Sequence, residues 1–202
     1  MLDVPLRKLI DPPLDRAGAA LAGAGLRADW LTWAGFVLGL CAVPTIAAGA
    51  YWAGLGFIGL NRLLDGLDGA VARHSAVSDR GAFLDIALDF IFYPAVPFAF
   101  ALAQPQHALA ATFLIFSFVA SGSTFLAYAT LAARRGLSTD LRGRKSIYHV
   151  GGLTEGSETF IAFALACIFP GWFSMICYIF GILCFATGGT RIAVAIADFR
   201  EP

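Results

Sequence analysis

The chain has 202 residues, of which 58% are hydrophobic and only 14% charged, with a formal net charge of zero. Soluble domains carry about 25% charged residues, so this composition and a mean hydropathy of +0.74 exclude an ordinary soluble domain and point to an all-α integral membrane protein. A balanced charge gives no reason to expect nucleic acid as a partner.

Residues 1–28 are amphipathic, with Leu2, Val4, Leu6, Leu9 and Ile10 interleaved with charges and a break expected at Pro12-Pro13. That pattern predicts a juxtamembrane helix lying on the bilayer surface. Asp3, Arg7, Lys8, Asp11 and Asp15 stand where a cleavable signal would need an apolar core, so no such signal is expected. Residues 29–202 then read as one six-helix transmembrane domain. Its first span covers about 30–50, with Asp29 or Thr32 as a cap near its start and Pro44 as a kink. Further spans follow at about 51–73, 81–103 and 107–133; a polar stretch, 134–152, separates these from spans at about 154–170 and 171–194. Cys41, Cys167, Cys177 and Cys184 are scattered through apolar runs without metal-ligand spacing and read as small buried hydrophobes. His74, His107 and His149 read as loop or interface residues, again without ligand spacing.

Basic residues set the orientation. One set of ends and loops holds Arg7, Lys8, Arg16, Arg27, Arg73, Arg80, Arg134, Arg135, Arg142, Arg144, Lys145 and Arg200. The opposite connections, Ala48–Gly54, Ala103–His107 and Phe169–Phe173, contain no Lys or Arg. The positive-inside rule therefore predicts both termini in the cytoplasm, here of a bacterial inner membrane.

The stretch from Asp65 to Asp89 carries the chemistry. It places Asp65, Asp68, Asp85 and Asp89 inside two otherwise apolar spans, and an ionised carboxylate there costs roughly 2.5–3.5 kcal/mol even on the mildest scale. Asp65 and Asp68 share one helix face, as do Asp85 and Asp89. Only His74 to Arg80 separates Arg73 from Gly81, so the two spans are expected to be antiparallel neighbours. At ~1.5 Å per residue, Asp65 and Asp89 would lie about 12 Å inside one membrane face, with Asp68 and Asp85 about 6–8 Å inside. The expected result is two layers of two carboxylates, a cage for hard, oxygen-seeking cations. Arg62, one turn before Asp65, reads as a structural partner for it or as a group orienting a metal ligand.

Asp65-x-x-Asp68-Gly69-x-x-Ala72-Arg73, seven residues, then Gly81-x-x-x-Asp85-x-x-x-Asp89 resembles the signature of the CDP-alcohol phosphotransferases, also called CDP-alcohol phosphatidyltransferases. The resemblance implies that the four aspartates hold two divalent cations, Mg²⁺ or Mn²⁺. These would grip the diphosphate of CDP-diacylglycerol while a small polar acceptor attacks and CMP leaves. Asp89 matches the position of the general base. Gly69, Ala72, Arg73 and Gly81 match the CDP-binding positions, and a homodimer is implied as well. Read from the residues alone, Gly69 and Ala72 could equally be helix-packing positions. Thr32 falls where family members have an Asn-x-x-Thr-like sequence, but Asp29 replaces the Asn here, so Thr32 reads either as a nucleotide contact or as a helix cap.

The acceptor site is less specific. Arg134, Arg135, Arg142, Arg144 and Lys145 crowd one loop, with Arg191 in the last span. They serve either topology or a phosphate pocket for an acceptor such as glycerol 3-phosphate or an inositol phosphate. Glycerophosphate-type members carry a Lys-x-Lys-Thr-x-x-Gln-like run, whereas this chain reads Arg144-Lys145-Ser146-Ile147-Tyr148. Glu155 and Glu158 share a face near a helix N-terminus, either complementing the dipole or binding acceptor hydroxyls or an amine. Two alternatives remain: a CDP-aminoalcohol phosphotransferase acting on a lipid alcohol, and a divalent cation transporter.

Overall fold

The computed structural model describes residues 3–75, 77–136 and 152–199, with side chains from Ile10 onward. Among these residues every regular element is helical. The order is α1 (Asp3–Gly23), α2 (Ala28–Leu40), α3 (Ala42–Ala47), α4 (Tyr51–His74), α5 (Asp79–Ala103), α6 (Ala108–Arg134), α7 (Gly156–Ile168) and α8 (Phe173–Asp198). Short 3₁₀ turns at Pro105–His107 and Pro170–Trp172 lead into α6 and α8.

α1 runs unbroken through Pro12 and Pro13, contrary to the expected break. Proline's fixed φ is itself helical, and the loss is confined to two backbone bonds and a local clash. Pro44 does act as expected: the first span interrupts at Cys41, one turn earlier, and resumes as α3.

The core joins small and aliphatic side chains to aromatic rings, and it reaches the carboxylate site through Phe36, Phe92 and Tyr93. Phe100 stacks between Tyr51 and Phe173, with ring centroids 5.4 and 4.3 Å apart. His107 is buried beside this stack and shares a 2.8 Å hydrogen bond with Ser174. Trp52, Phe83, Leu109, Phe116 and Ile182 are instead exposed on the outside. So many large apolar side chains facing outward suit lipid rather than water.

Four helical segments are long and apolar enough to cross a bilayer: Ala28–Ala47, Asp79–Ala103, Pro105–Arg134 and Pro170–Asp198. The expected six spans are therefore not matched one for one. α4 has 24 residues, but Arg62, Asp65 and Asp68 interrupt its apolar run. α7 has only 13 residues, about 20 Å at ~1.5 Å per residue against a hydrocarbon core of about 30 Å.

α4 and α5 meet through side chains, Arg62 of α4 reaching Asp89 and Tyr93 of α5, rather than through close backbone packing. α2 packs against both. Glycine makes that approach possible: a Cβ on Gly35 would lie 3.0 Å from the Leu64 Cβ, and one on Gly39 would lie 2.9 Å from the Asn61 amide. Asn61 secures the contact by donating to the Gly35 carbonyl at 3.0 Å. With α2 wedged alongside, the inner ends of α4 and α5 stand apart, and the space between them is the candidate site.

Candidate active site

The cleft is lined by Thr32, Gly35, Phe36, Asn61, Asp65, Asp68, Asp85, Leu88 and Asp89, contributed by α2, α4 and α5. One carboxylate oxygen from each of Asp65, Asp68 and Asp85 lies within 4.8 Å of the others. Asp68 is only 6% exposed, and its buried Oδ2 has no hydrogen-bond partner among the described residues. Convergent hard oxygens, one of them buried without a hydrogen-bond partner, fit a divalent cation.

Asp89 stands apart from those three. Its Oδ1 accepts from Arg62 Nη2, and its Oδ2 accepts from Arg62 Nη1 at 3.4 Å and from the Tyr93 hydroxyl at 3.0 Å. Arg62 also reaches Asp65 at 3.5 Å. The expected two layers of two thus become three clustered carboxylates and a fourth held by a guanidinium. The sequence reading paired Arg62 with Asp65, its near neighbour along the helix, but the stronger pair crosses from α4 to α5. Tyr93 was missed, although it lies one turn beyond Asp89 on the same face. Asn61 was missed too; a lone amide in an apolar run, beside Arg62, is the signal that could have found it.

The remaining positions divide clearly. Thr32 lines the cleft and is no helix cap: α2 begins at Ala28, and the Thr32 hydroxyl donates to the Ala28 carbonyl at 3.1 Å. A Cβ on Gly69 would meet only Arg73 Nη1, at 3.8 Å, so tight helix packing does not require glycine there. Ala72 is partly buried. Gly81 lies in the first turn of α5, donating to the Ser78 hydroxyl at 3.0 Å, and Asp29 lies nearby, bridging Arg27 and Arg80 at 3.5 and 3.4 Å.

Arg73 pairs with Asp15 of α1 at 2.9 Å, and His74 approaches the same carboxylate at 3.4 Å. The hydrogen bond from Arg73 holds the Asp15 carboxyl below its usual range, with the charges of Arg73 and His74 acting the same way. A lowered folded-state pKa stabilises docking above the unfolded value, and that contribution is lost as pH falls through the lowered one. Acidification below about pH 4 is therefore expected to loosen α1, accelerating amide exchange in its second half. Asp15→Asn should remove this acid dependence.

Among the described residues, none of the acceptor candidates lines the carboxylate cleft itself. Arg191 is buried and donates to the Ser121 carbonyl and hydroxyl at 3.0 and 3.1 Å, with its guanidinium over Phe125. It does not line the carboxylate cleft. Arg135 reaches the carbonyls of Asp198 and Phe199 at the end of α8, and Arg134 is exposed. Glu155 and Glu158 form a reciprocal capping box at the start of α7. Arg142, Arg144 and Lys145 lie outside the described residues.

A CDP-alcohol phosphatidyltransferase profile matches residues 25–187, a stretch that contains the whole carboxylate cleft. The chain belongs to the CDP-alcohol phosphatidyltransferase family. It is 50% identical over 193 residues to the inner membrane protein YnjF of Escherichia coli (strain K12), spanning 95% of this chain and 94% of that protein. It is also 34% identical over 99 residues to an archaetidylinositol phosphate synthase of Pyrococcus horikoshii, covering 48% of this chain and 52% of that one. The fold resembles that of a Mycobacterium tuberculosis phosphatidylinositol phosphate synthase (PgsA1) solved with CDP-DAG bound. That likeness has a TM-score of 0.65 at 21% identity and covers 91% of this chain and 93% of the other. A second structure of that synthase, in complex with manganese and citrate, gives a TM-score of 0.65 at 22% identity over 89% and 87% of the two chains. As a member of this family the protein is a transferase, and its long apolar helices make it one of the membrane.

Proposed function

We propose that this CDP-alcohol phosphatidyltransferase moves the phosphatidyl group of CDP-diacylglycerol to a hydroxyl of a small, phosphorylated polyol, releasing CMP. The observation that carries this reading is the convergence of Asp65, Asp68 and Asp85, with an orphaned oxygen on Asp68 and Asp89 at the same cleft. When bound, two divalent cations, Mg²⁺ or Mn²⁺, would neutralise and orient the donor diphosphate. Asp65, Asp68 and Asp85 are their main ligands, with Asp89 beside them.

Asp89 is the base. Arg62 and Tyr93 hold its carboxylate at the cleft wall, where an acceptor hydroxyl bound beside the donor can reach it. As the proton passes to Asp89, the acceptor oxygen bonds to the β-phosphorus and the bond to the CMP oxygen breaks. Thr32, Gly69, Ala72, Arg73 and Gly81 are assigned to the CDP moiety. Open space at Gly69 supports a close approach of the nucleotide to α4. Gly69→Val should therefore raise the donor KM with little change in melting temperature. The opposite pattern, lost stability with an unchanged donor KM, would return Gly69 to helix packing.

We place the cleft on the cytoplasmic side of the inner membrane, supported by the one-sided Lys and Arg distribution. Six crossings follow if α4 turns its charges toward the cleft and the short α7 also crosses. Residues 1–28 would lie on the surface and 29–202 form the catalytic domain, as a homodimer.

The phosphorylated acceptor is supported by the names of the archaeal relative and the mycobacterial neighbour, and by Arg191. Its buried Nε has no acceptor among the described residues. The test offers purified protein, Mn²⁺ and CDP-diacylglycerol a panel of glycerol 3-phosphate, inositol phosphate, the parent polyols and amino alcohols. CMP release is expected with a phosphorylated polyol, and Arg191→Lys should raise that acceptor's KM more than the donor's. Release only with an unphosphorylated polyol or amine would overturn this acceptor assignment, and Glu155→Gln and Glu158→Gln would become the acceptor-site variants to measure.

A further inference from the structure

Arg62 is built into the site rather than resting on its surface. Its guanidinium lies 5.5 and 5.2 Å from the ring centroids of Phe92 and Tyr93. Nε donates to Asn61 Oδ1 at 2.9 Å, and Nη1 donates to the Tyr93 hydroxyl at 2.9 Å. Asn61 is itself fixed to the Gly35 carbonyl. From this frame Arg62 grips both oxygens of Asp89 and touches Asp65, while the oxygens of Asp65, Asp68 and Asp85 converge without Asp89. A guanidinium bound at both carboxylate oxygens is a strong, directional competitor for any other cation.

We propose that Arg62 is a positioning residue that reserves Asp89, so that the resting enzyme takes one divalent cation and admits the second together with the donor. The inference rests on the metal-holding role given above to the aspartates. The trigger follows from charge. A diphosphate entering the cleft brings anionic oxygens that a guanidinium can grip in a bidentate way. Arg62 can then exchange Asp89 for phosphate, and the freed carboxylate becomes available to a second cation. Tyr93 supports the reserved position by donating to the same Asp89 oxygen.

The test counts Mn²⁺ bound to the purified, full-length protein by loss of the free-ion paramagnetic resonance signal, with and without CDP-diacylglycerol and with no acceptor present. Wild type should bind one ion tightly alone and two with the donor. Arg62→Gln should bind a second ion without the donor, at least about ten-fold tighter than wild type, because a fixed competing cation is gone. Arg62→Lys should partly restore the wild-type pattern. Tyr93→Phe, which keeps the ring, should shift binding in the same direction as Arg62→Gln but by less, and it decides the matter if Arg62→Gln does not fold. Asp89→Asn should bind one ion with or without donor. Two equivalent ions on wild type without donor, or a stepwise pattern unmoved in folded Arg62→Gln and Tyr93→Phe, would overturn the proposal. Mn²⁺ binding that is absent from wild type, or indifferent to Asp68→Asn, would instead overturn the underlying metal assignment.

Discussion

Asp89→Asn is expected to lower turnover by roughly 10²–10⁴ while leaving CDP-diacylglycerol binding largely intact. The substitution keeps the side chain's volume and one carbonyl oxygen, which can still accept from Arg62, but it removes the group that takes the acceptor's proton. Asp89 is also expected to serve the second cation, so the measurement is made at rising Mn²⁺ concentrations. Activity lost through weakened metal binding returns at high Mn²⁺, whereas activity lost with the base does not. Near wild-type turnover in Asp89→Asn would place proton removal elsewhere.

Removing the metal should have two consequences together. Chelation is expected to abolish turnover, with recovery on adding Mg²⁺ or Mn²⁺. It should also lower thermal stability, because Asp68 is buried with an oxygen that has no hydrogen-bond partner among the described residues. Without a cation that buried oxygen goes unpaired, and an unsatisfied buried polar group costs about 1–3 kcal/mol, more when charged. A ligand present at one hundred times its Kd stabilises the folded state by about 2.7 kcal/mol, a rise in melting temperature easily resolved by thermal shift. Asp68→Asn should lose most of that Mn²⁺-dependent rise and most of the activity, and it should melt no lower than wild type in the metal-free state. A metal-free wild type as stable as the loaded protein would show that Asp68 finds its compensation in some other way.

The signature was legible in the sequence because its spacing is local. Helix geometry alone puts Asp65 with Asp68 and Asp85 with Asp89, and charges inside apolar runs announce themselves. The partition among the four carboxylates was not legible, since it depends on how far α4 and α5 stand apart. That separation is set by α2, whose glycines at 35 and 39 admit Leu64 and Asn61, a contact between segments about 26 residues apart. The same distance explains why Arg62 was assigned to Asp65 rather than to Asp89. Glu155 and Glu158 were open to two readings because a capping box and a ligand pair have similar spacing; only the backbone at Glu155 distinguishes them. Length and composition single out four spans for a different reason: the charges on α4 interrupt its apolar run, and α7 is short.

We expect the aspartate cleft to carry out metal-dependent phosphatidyl transfer from a CDP-activated lipid. Release of radiolabelled CMP from CDP-diacylglycerol by the purified protein, across the acceptor panel and with and without chelator, tests it most directly. CMP should appear only with both a divalent cation and an acceptor, and it should fall to background in Asp68→Asn. Undiminished release in a metal-free preparation, or no release with any acceptor from a folded, Mn²⁺-loaded protein, would contradict it.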